Sequence, residues 1–426
     1  MTYTVAPATG LSGHIRLPGD KSISHRYAML AAVAAGASRL ENYSTGADCQ
    51  STLRCLETLG IGVERVDGAV VVHGAGLDGF RAPSQGLDAG NSGSTIRMLS
   101  GMLAAQPFTC EIGGDASLSQ RPMGRIMVPL RAMGATVAAR EDMFPPLRIT
   151  GAKLSPIEYE PPIPSAQVKT CVLFAGLHTE GVTGVIEKVQ TRDHTEVALA
   201  EFGAEVEKTG HLITIRGRPL LQPRNLTVPG DLSSSAFFLV AANLLPGSTI
   251  VMEGVGMSPS RTALLDWLMG AGAQIRVLDV AMRAGEMVGT IQVRGRQLEG
   301  GVIAGTTSAA LIDEIPALAV LGAASRNGLV VRDAAELRVK ETDRIATVAE
   351  NMRRMGVQIE VAPDGFTIPG GQKFHAAELD SFGDHRIAMA FAVAGLAADG
   401  PTSIQNSEAA SVSFPEFYQT LERLRS

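Results

Sequence analysis

Gly19-Asp20-Lys21-Ser22-Ile23-Ser24-His25-Arg26 opens an apolar run that continues to Val33, and openings of the same kind recur down the chain. They stand at Gly90-Asn91-Ser92-Gly93-Ser94, Ser165-Ala166-Gln167-Val168-Lys169, Gly230-Asp231-Leu232-Ser233, Asp313-Glu314 and Gly383-Asp384-His385-Arg386, roughly seventy residues apart. Each sets helix-starting or basic residues before a helix-length apolar stretch. A helix N-terminus exposes unpaired N–H groups and partial positive charge, so it favours anions. Lys21, Arg26, Arg97, Lys169 and Arg386 nevertheless lie in the first turns of these helices, where a cation costs about 0.3–1 kcal/mol. The conflict predicts negative charge opposite them.

A second marker interleaves with the first: Leu59-Gly60-Ile61-Gly62-Val63, Met133-Gly134-Ala135-Thr136-Val137, Phe202-Gly203-Ala204-Glu205-Val206, Ala271-Gly272-Ala273-Gln274-Ile275 and Met355-Gly356-Val357-Gln358-Ile359. Each predicts a helix closed by a left-handed glycine and followed by a strand. The chain therefore reads as six units, each with two helices and intervening strands. The first helix of a unit, as in 166–177, 234–245 and 387–397, is apolar on nearly all faces and belongs inside. The second, as in 341–355, carries one apolar stripe at Ile345, Val348, Met352 and Met355 and lies nearer a surface.

The sixth unit ends with an amphipathic helix over 414–424, where its closing glycine and strand should follow. We expect residues 3–17 to return and supply a missing strand. Pro18-Gly19-Asp20 and Pro229-Gly230-Asp231 would then be the switch points between a continuous lobe, 19–229, and a discontinuous one, 1–18 plus 230–426. The two would hinge near 18–20 and 229–231. Two unrelated turns are the alternative.

Composition sets the outer limits. At 426 residues and 45 % hydrophobic content the chain can build two full cores. A net charge of -6 argues against a general nucleic-acid or membrane surface, so a cationic site must be local and its partner a small anion. Cys49, Cys55, Cys110 and Cys171 fit neither a disulfide framework nor paired metal spacing, and no metal is expected. Met1-Thr2-Tyr3-Thr4-Val5 has no signal-peptide character, and the longest apolar run, 387–398, is shorter than the ~18 residues that span a bilayer. A reduced, cytoplasmic protein is expected.

Several segments could carry chemistry, and each also has a plain structural reading. Lys21, Ser22 and Arg26 offer a helix N-terminus and two cations to phosphate or carboxylate, or else a capped, solvated helix; His25 suits packing or capping. Gly93 removes the steric bar to close approach at a small-residue helix start, which a simple N-cap would also explain. Arg121 precedes Pro122 and a helix, as a surface charge or an anion clamp. Ser165, Gln167 and Lys169 place a hydroxyl, an amide and a cation in one turn. Arg338-Val339-Lys340-Glu341-Thr342-Asp343-Arg344 is explained either by surface pairing worth ~0.2–0.5 kcal/mol or by two cations around a proton-trading carboxylate. Asp313 either caps the helix that follows or acts as a general base. Asp384-His385-Arg386 opens a buried helix with two potential cations, a conflict that an anion would resolve.

Together, from Leu17-Pro18-Gly19-Asp20-Lys21-Ser22 to Ser413-Phe414-Pro415, these motifs resemble the 5-enolpyruvylshikimate-3-phosphate synthase family, the 3-phosphoshikimate 1-carboxyvinyltransferases. The resemblance implies an α/β fold, a two-lobed inside-out α/β barrel, each lobe three βαβαββ units around inner helices. It implies transfer of the enolpyruvyl group of phosphoenolpyruvate to the 5-hydroxyl of shikimate 3-phosphate, with no cofactor. By the same resemblance, Lys21, Ser22, Arg26, Ser165, Ala166, Gln167, Arg192, Asp313 and Lys340 hold shikimate 3-phosphate. Lys21, Gly93, Arg121, Gln167, Arg344 and Arg386 hold phosphoenolpyruvate. Asp313 takes the 5-hydroxyl proton, and Glu341, assisted by Lys21, is acid and base at the methylene carbon. Arg192-Asp193-His194-Thr195-Glu196 resembles the second bacterial class, and Ala410-Ser411-Val412-Ser413 lacks the lysine of many relatives. Gly93 suggests room for the herbicide glyphosate, and the resemblance favours a monomer.

UDP-N-acetylglucosamine enolpyruvyl transferase is the nearest rival, but it carries asparagine after the first lysine, where this chain has Ser22, and a loop cysteine that Gly113-Gly114-Asp115 to Arg121-Pro122 lacks. RNA 3′-terminal phosphate cyclase, which resembles these proteins in its βαβαββ unit, would need a nucleotide site and an adenylylated histidine, and the chain, with 4 % aromatics, shows no obvious basic stretch with interleaved aromatics. A noncatalytic relative would have lost Lys21, Asp313 or Glu341, and all three are present.

Overall fold

The computed structural model describes residues 1–425 and has a mixed α/β fold. In chain order its helices are α1 (Lys21–Val33), α2 (Ala47–Thr58), α3 (Gly93–Leu103), α4 (Gly124–Ala132), α5 (Ala166–Gly176), α6 (His194–Glu201), α7 (Leu232–Leu244), α8 (Ala263–Gly270), α9 (Thr306–Ala310), α10 (Ile315–Ala324), α11 (Arg344–Arg354), α12 (His385–Leu396) and α13 (Phe417–Leu424). The six apolar helices, α1, α3, α5, α7, α10 and α12, are buried along nearly their whole length, because no face of them is polar enough to meet water. On α11 the buried stripe runs through Ile345, Val348 and Met352.

Between these helices the closing glycines behave alike. Gly60, Gly134, Gly203, Gly272 and Gly356 all have positive φ. After each, the next N–H reaches back over the turn, from Ile61 to the Leu56 carbonyl, Ala135 to Leu130, Ala204 to Leu199, Ala273 to Leu268 and Val357 to Met352. This double closure satisfies carbonyls the helix end would otherwise leave unbonded.

The contacts divide the chain into two units: Met1–Pro18, Pro229–Met282 and Met287–Ser426 form the first, Gly19–Val228 and Arg283–Glu286 the second. Each has its own apolar core built on three of the buried helices. In the second unit, Leu87–Asp88 runs parallel to Thr109–Gly113, which is antiparallel to Phe144–Thr150, itself antiparallel to Thr136–Arg140. Helix α3 spans the parallel step, as a parallel connection requires, and α4 the next. Glu158–Tyr159, Val182–Ile186, Leu212–Arg216 and Val206–Thr209 repeat the plan with α5 and α6. The sheet of Ala35–Glu41, Ala69–Ala75 and Gly62–Val66 takes its parallel strand from Asn225–Thr227, at the far end of the unit's sequence. Helices α3 and α5 approach so closely that a Cβ on Gly101 would stand 2.2 Å from the Cys171 carbonyl oxygen.

In the first unit, Thr249–Gly256 takes its parallel partner from Ser12–Arg16 and pairs antiparallel with Glu286–Arg294, beyond which Gln274–Arg283 forms the edge of the sheet. Gly301–Ile303, Leu329–Val331, Gly365–Ile368 and Glu360–Ala362 follow the common plan. The last sheet has only Glu378–Asp380 and Thr402–Gln405 from its own stretch of chain, and Thr2–Val5 completes it. Residues 3–17, expected to return one strand, thus return two, to different sheets.

Five helix starts differ from the sequence reading, among them α7, at Leu232 rather than 234, and α12, at His385 rather than 387. Helix α11 begins at Arg344 rather than 341, because the Asp343 carboxylate caps the Ala346 N–H at 3.1 Å. Helix α13 begins at Phe417 rather than 414, after a short 3-10 turn at Ser407–Val412. Helix α4 starts at Gly124, so Pro122 lies before the helix and not at its first position. The four cysteines are buried and free. No helix among the described residues is long and apolar enough to cross a membrane.

Candidate active site

In the second unit, Asp20 caps α1 by accepting the Ile23 N–H at 2.9 Å, which aims Lys21 and Ser22 outward from the first turn. The Lys21 ammonium lies 3.1 Å from Asp48 Oδ2, on the first turn of α2. The negative charge expected opposite Lys21 is here a carboxylate of the chain itself. Arg26, one turn further on, is 2 % exposed. Its Nη1 donates to the Ser22 carbonyl at 2.8 Å, Nε to Thr195 Oγ1 at 2.7 Å and Nη2 to Thr170 Oγ1 at 2.8 Å. Burial lowers its pKa to about 10, against the attraction of Glu196. A guanidinium carries five N–H donors, so two remain beyond these three bonds. Arg192 Nη1 approaches Ser22 Oγ at 3.5 Å.

His25 is buried between them with Nδ1 2.7 Å from Thr52 Oγ1, and burial together with Lys21 and Arg26 holds its pKa well below the usual histidine range. It is a neutral packing histidine, and Thr52 carries the chain of hydroxyls on to Thr95 at 2.7 Å, in α3.

A second cluster forms where α3 and α5 begin. Ser92 caps α3 through Thr95, and Ser165 caps α5 through Val168. Ser165 and Ala166 thus contribute the helix start, and Gln167 reaches across it. Its Oε1 accepts from Arg97 Nη1 at 2.9 Å, and its Nε2 donates to Ser94 Oγ at 2.9 Å. Gly93 lies beneath the cations: a Cβ there would stand 2.8 Å from Arg97 Nη1 and 3.5 Å from Arg121 Nη1. Arg121 donates through Nη2 to Asn91 Oδ1 at 2.7 Å and to Ser117 Oγ at 3.1 Å.

Lys169 departs from expectation. Instead of awaiting an external anion it is 1 % exposed, with Glu196 at 2.7 Å and Glu187 at 3.0 Å.

In the first unit the charged stretch 338–344 departs from surface pairing as well. Arg344 is fully buried, where an ion pair meets far less solvent screening than on a surface. Its Nε donates to Asp384 Oδ2 at 2.8 Å, and Nη2 to Glu341 Oε2 at 2.6 Å. Burial opposes its charge, but Asp384, Glu341 and Asp313 more than offset this and hold its pKa well above the usual arginine range. Asp313 Oδ1 lies 3.6 Å from Arg344 Nη1 and 3.7 Å from Lys340 Nζ. The residue capping α10 is Glu314, without a side-chain cap bond, so Asp313 faces cations rather than closing the helix. Asp384 caps α12 by accepting the Arg386 N–H at 2.8 Å. Arg386 Nη1 stands 3.9 Å from Glu314.

Two atoms in this cluster stand out. Arg344 Nη1 and Arg386 Nη1 are both buried and make no hydrogen bond among the described residues. Buried polar atoms are nearly always bonded, so these two guanidinium nitrogens are donors with hydrogen-bonding capacity to spare.

The sequence reading named Lys21, Ser22, Arg26, Arg192, Gly93, Arg121 and Gln167, which the second unit holds, and Asp313, Lys340, Glu341, Arg344 and Arg386, which the first unit holds. It did not name Asp48, Asn91, Asp384 or Glu314 as site residues, although Asp48 follows a helix-opening Gly46 and Asp384 opens α12.

The EPSP synthase (3-phosphoshikimate 1-carboxyvinyltransferase) family model matches residues 5–421. The chain belongs to this family. A 3-phosphoshikimate 1-carboxyvinyltransferase from Solibacter usitatus is 63 % identical, covering 100 % of both chains, and one from Koribacter versatilis is 52 % identical over 99 % of this chain and 98 % of the other. Among solved structures, the EPSP synthase of Acinetobacter baumannii is 40 % identical with a TM-score of 0.88, covering 100 % of this chain and 98 % of that one. The enolpyruvyl transferase NikO of Streptomyces tendae has a TM-score of 0.80 at 19 % identity, over 99 % of this chain and 96 % of its own, a likeness of fold. The EPSP synthase assignment makes the chain a transferase of the shikimate route to aromatic amino acids.

Proposed function

We propose that the clusters described above carry out the EPSP synthase reaction on phosphoenolpyruvate and shikimate 3-phosphate with the following division of labour. Shikimate 3-phosphate is held by Lys21, Ser22, Arg26, Ser165, Ala166, Gln167 and Arg192, together with Asp313 and Lys340. Phosphoenolpyruvate is held by Lys21, Gly93, Arg121 and Gln167, together with Arg344 and Arg386. The observation that carries this reading is the pair of unbonded, buried nitrogens, Arg344 Nη1 and Arg386 Nη1. The two substrates bring about six negative charges, and preorganised donors in a site of low dielectric stabilise them strongly.

Glu341 gives a proton to the methylene carbon of phosphoenolpyruvate, leaving positive character on the neighbouring carbon. The 5-hydroxyl of shikimate 3-phosphate attacks that carbon as Asp313 accepts its proton, which forms a tetrahedral intermediate. Glu341 then takes a proton back from the methyl group as the C–O bond to phosphate breaks, the proton held by Asp313 is lost to the departing phosphate, and the enol ether and hydrogen phosphate result with both carboxyl groups restored. Lys21 stabilises the bridging oxygen charge through both steps. Placement of Asp313 between Lys340 and Arg344 supports its role, since two cations beside the carboxylate fix where it stands to meet the hydroxyl. No cofactor enters this chemistry. The same reading takes the chain as a cytoplasmic monomer of the second bacterial class with the two-lobed inside-out barrel of the family, and places glyphosate as a competitor of phosphoenolpyruvate beside Gly93.

Isothermal titration of Arg386→Ala tests the division of labour. Phosphoenolpyruvate binding in the presence of shikimate 3-phosphate should weaken by about tenfold or more, while shikimate 3-phosphate alone binds as before. Unchanged phosphoenolpyruvate affinity would overturn it.

A further inference from the structure

The best-buried ammonium in the second unit belongs to a residue with no role in the reading above. Lys169 lies on the first turn of α5, and its Nζ joins Glu187 at 3.0 Å and Glu196 at 2.7 Å. Those two carboxylates bracket one short segment. Glu187 directly follows strand Val182–Ile186 and also accepts the Thr191 hydroxyl, while Glu196 sits in the first turn of α6. Arg192 lies between them. The residue after Lys169 and the residue before Glu196 repeat the link, since Thr170 and Thr195 stand 2.6 Å apart and both bond Arg26.

We infer that Lys169 is a positioning residue for the shikimate 3-phosphate half-site: it ties both ends of residues 187–196 to α5 and thereby fixes Arg192 against Ser22 and Thr195 against Arg26. The reasoning is electrostatic. Two carboxylates at one buried point repel, and only a cation between them makes the arrangement favourable. An ammonium has three donors on a long stem, so it can serve both carboxylates at once. Remove it and the two acidic ends separate, carrying the segment and Arg192 with them. Lys169 itself is sealed from solvent and bonded on both sides, so it is no ligand.

The inference rests on the reading that Ser22, Arg26 and Arg192 hold shikimate 3-phosphate, and the test separates the two. Steady-state phosphate release would be measured for Lys169→Met, Lys169→Arg, Glu196→Gln and, as the control, Arg192→Ala. Lys169→Met should raise KM for shikimate 3-phosphate by about tenfold, with KM for phosphoenolpyruvate and kcat within about twofold of wild type, and Lys169→Arg should recover most of the loss. Should Lys169→Met fail to fold, Glu196→Gln keeps an acceptor facing Lys169 and should show the same selective rise, smaller in size. If Arg192→Ala raises KM for shikimate 3-phosphate while the folded Lys169 and Glu196 variants do not, the inference is wrong and the half-site reading survives. If Arg192→Ala changes nothing, the half-site reading itself fails, and the inference with it. Equal losses for both substrates would reduce Lys169 to a stabilising residue and overturn its positioning role.

Discussion

Replacing Gly93 by alanine tests the cation cluster at the start of α3 and α5 with a single methyl group. Gly93 is the first residue of α3 and does not have positive φ, so alanine introduces no backbone strain. The new Cβ would stand 2.8 Å from Arg97 Nη1. An ordinary contact is about 3.5 Å, so the guanidinium must withdraw by roughly 0.7 Å. The end of an arginine side chain moves cheaply, and the cost falls on what it holds. Arg97 Nη1 donates to Gln167 Oε1 at 2.9 Å, and a retreat of that size disturbs this bond and shifts Gln167 with it. Gln167 and Arg121, which the proposed site gives to phosphoenolpyruvate, flank the same spot, and displacing one charge-assisted bond to the substrate costs about 1.5–3 kcal/mol, about 10- to 150-fold in affinity. Steady-state phosphate release with phosphoenolpyruvate varied at saturating shikimate 3-phosphate should therefore show KM for phosphoenolpyruvate rising at least tenfold. A KM within twofold of wild type, in a folded variant, would refute the argument that these cations are held in one rigid arrangement.

Other consequences follow from buried charge. His178, at the end of α5, is buried, and burial, with Arg218 adding and Asp78 opposing, lowers its pKa to about 4 from 6.5. Above pH 6.5 both folded and unfolded states hold it neutral. As pH falls from 6.5 to 4 only the unfolded state takes up the proton, so stability declines, by about 3 kcal/mol in all. Urea unfolding at pH 7 and pH 4 should show a correspondingly smaller loss in His178→Gln, and equal losses would contradict the assignment. Arg344→Met leaves Asp384 and Glu341 facing one another without their cation, and should destabilise the first unit by about 3–5 kcal/mol in urea unfolding at neutral pH. A change below about 1 kcal/mol would mean that solvent reaches the cluster.

What could be read from the sequence was what physics makes local. A left-handed glycine closing a helix involves only a handful of neighbouring residues, and all five markers closed their helices as expected. Helices without a polar face had no alternative to burial, which is why α5, α7 and α12 could be recognised from apolarity alone. The order of charged openings likewise pointed to the right family. Partners distant in sequence left no such trace. Lys169 looked like a cation awaiting a ligand because nothing near it announces Glu187 or Glu196. Surface pairing stayed open as one reading of Arg344 because Asp384, which it also bonds, opens another helix. Asp48, the carboxylate facing Lys21, sits on α2, of which the sequence reading marked only the closing Gly60. The turn Arg283–Glu286, grouped with the second unit through contacts such as Glu286 to His194 at 2.8 Å, gave no sequence signal either.

The central claim is that Asp313 and Glu341 move the protons of enolpyruvyl transfer while the cations around them bind. The rate of phosphate release from phosphoenolpyruvate at saturating shikimate 3-phosphate, in Asp313→Ala and Glu341→Ala, tests it most directly. Each variant should lose about 10²- to 10⁴-fold in kcat, the contribution of a positioned acid or base. Release within about threefold of wild type in either variant would contradict the account.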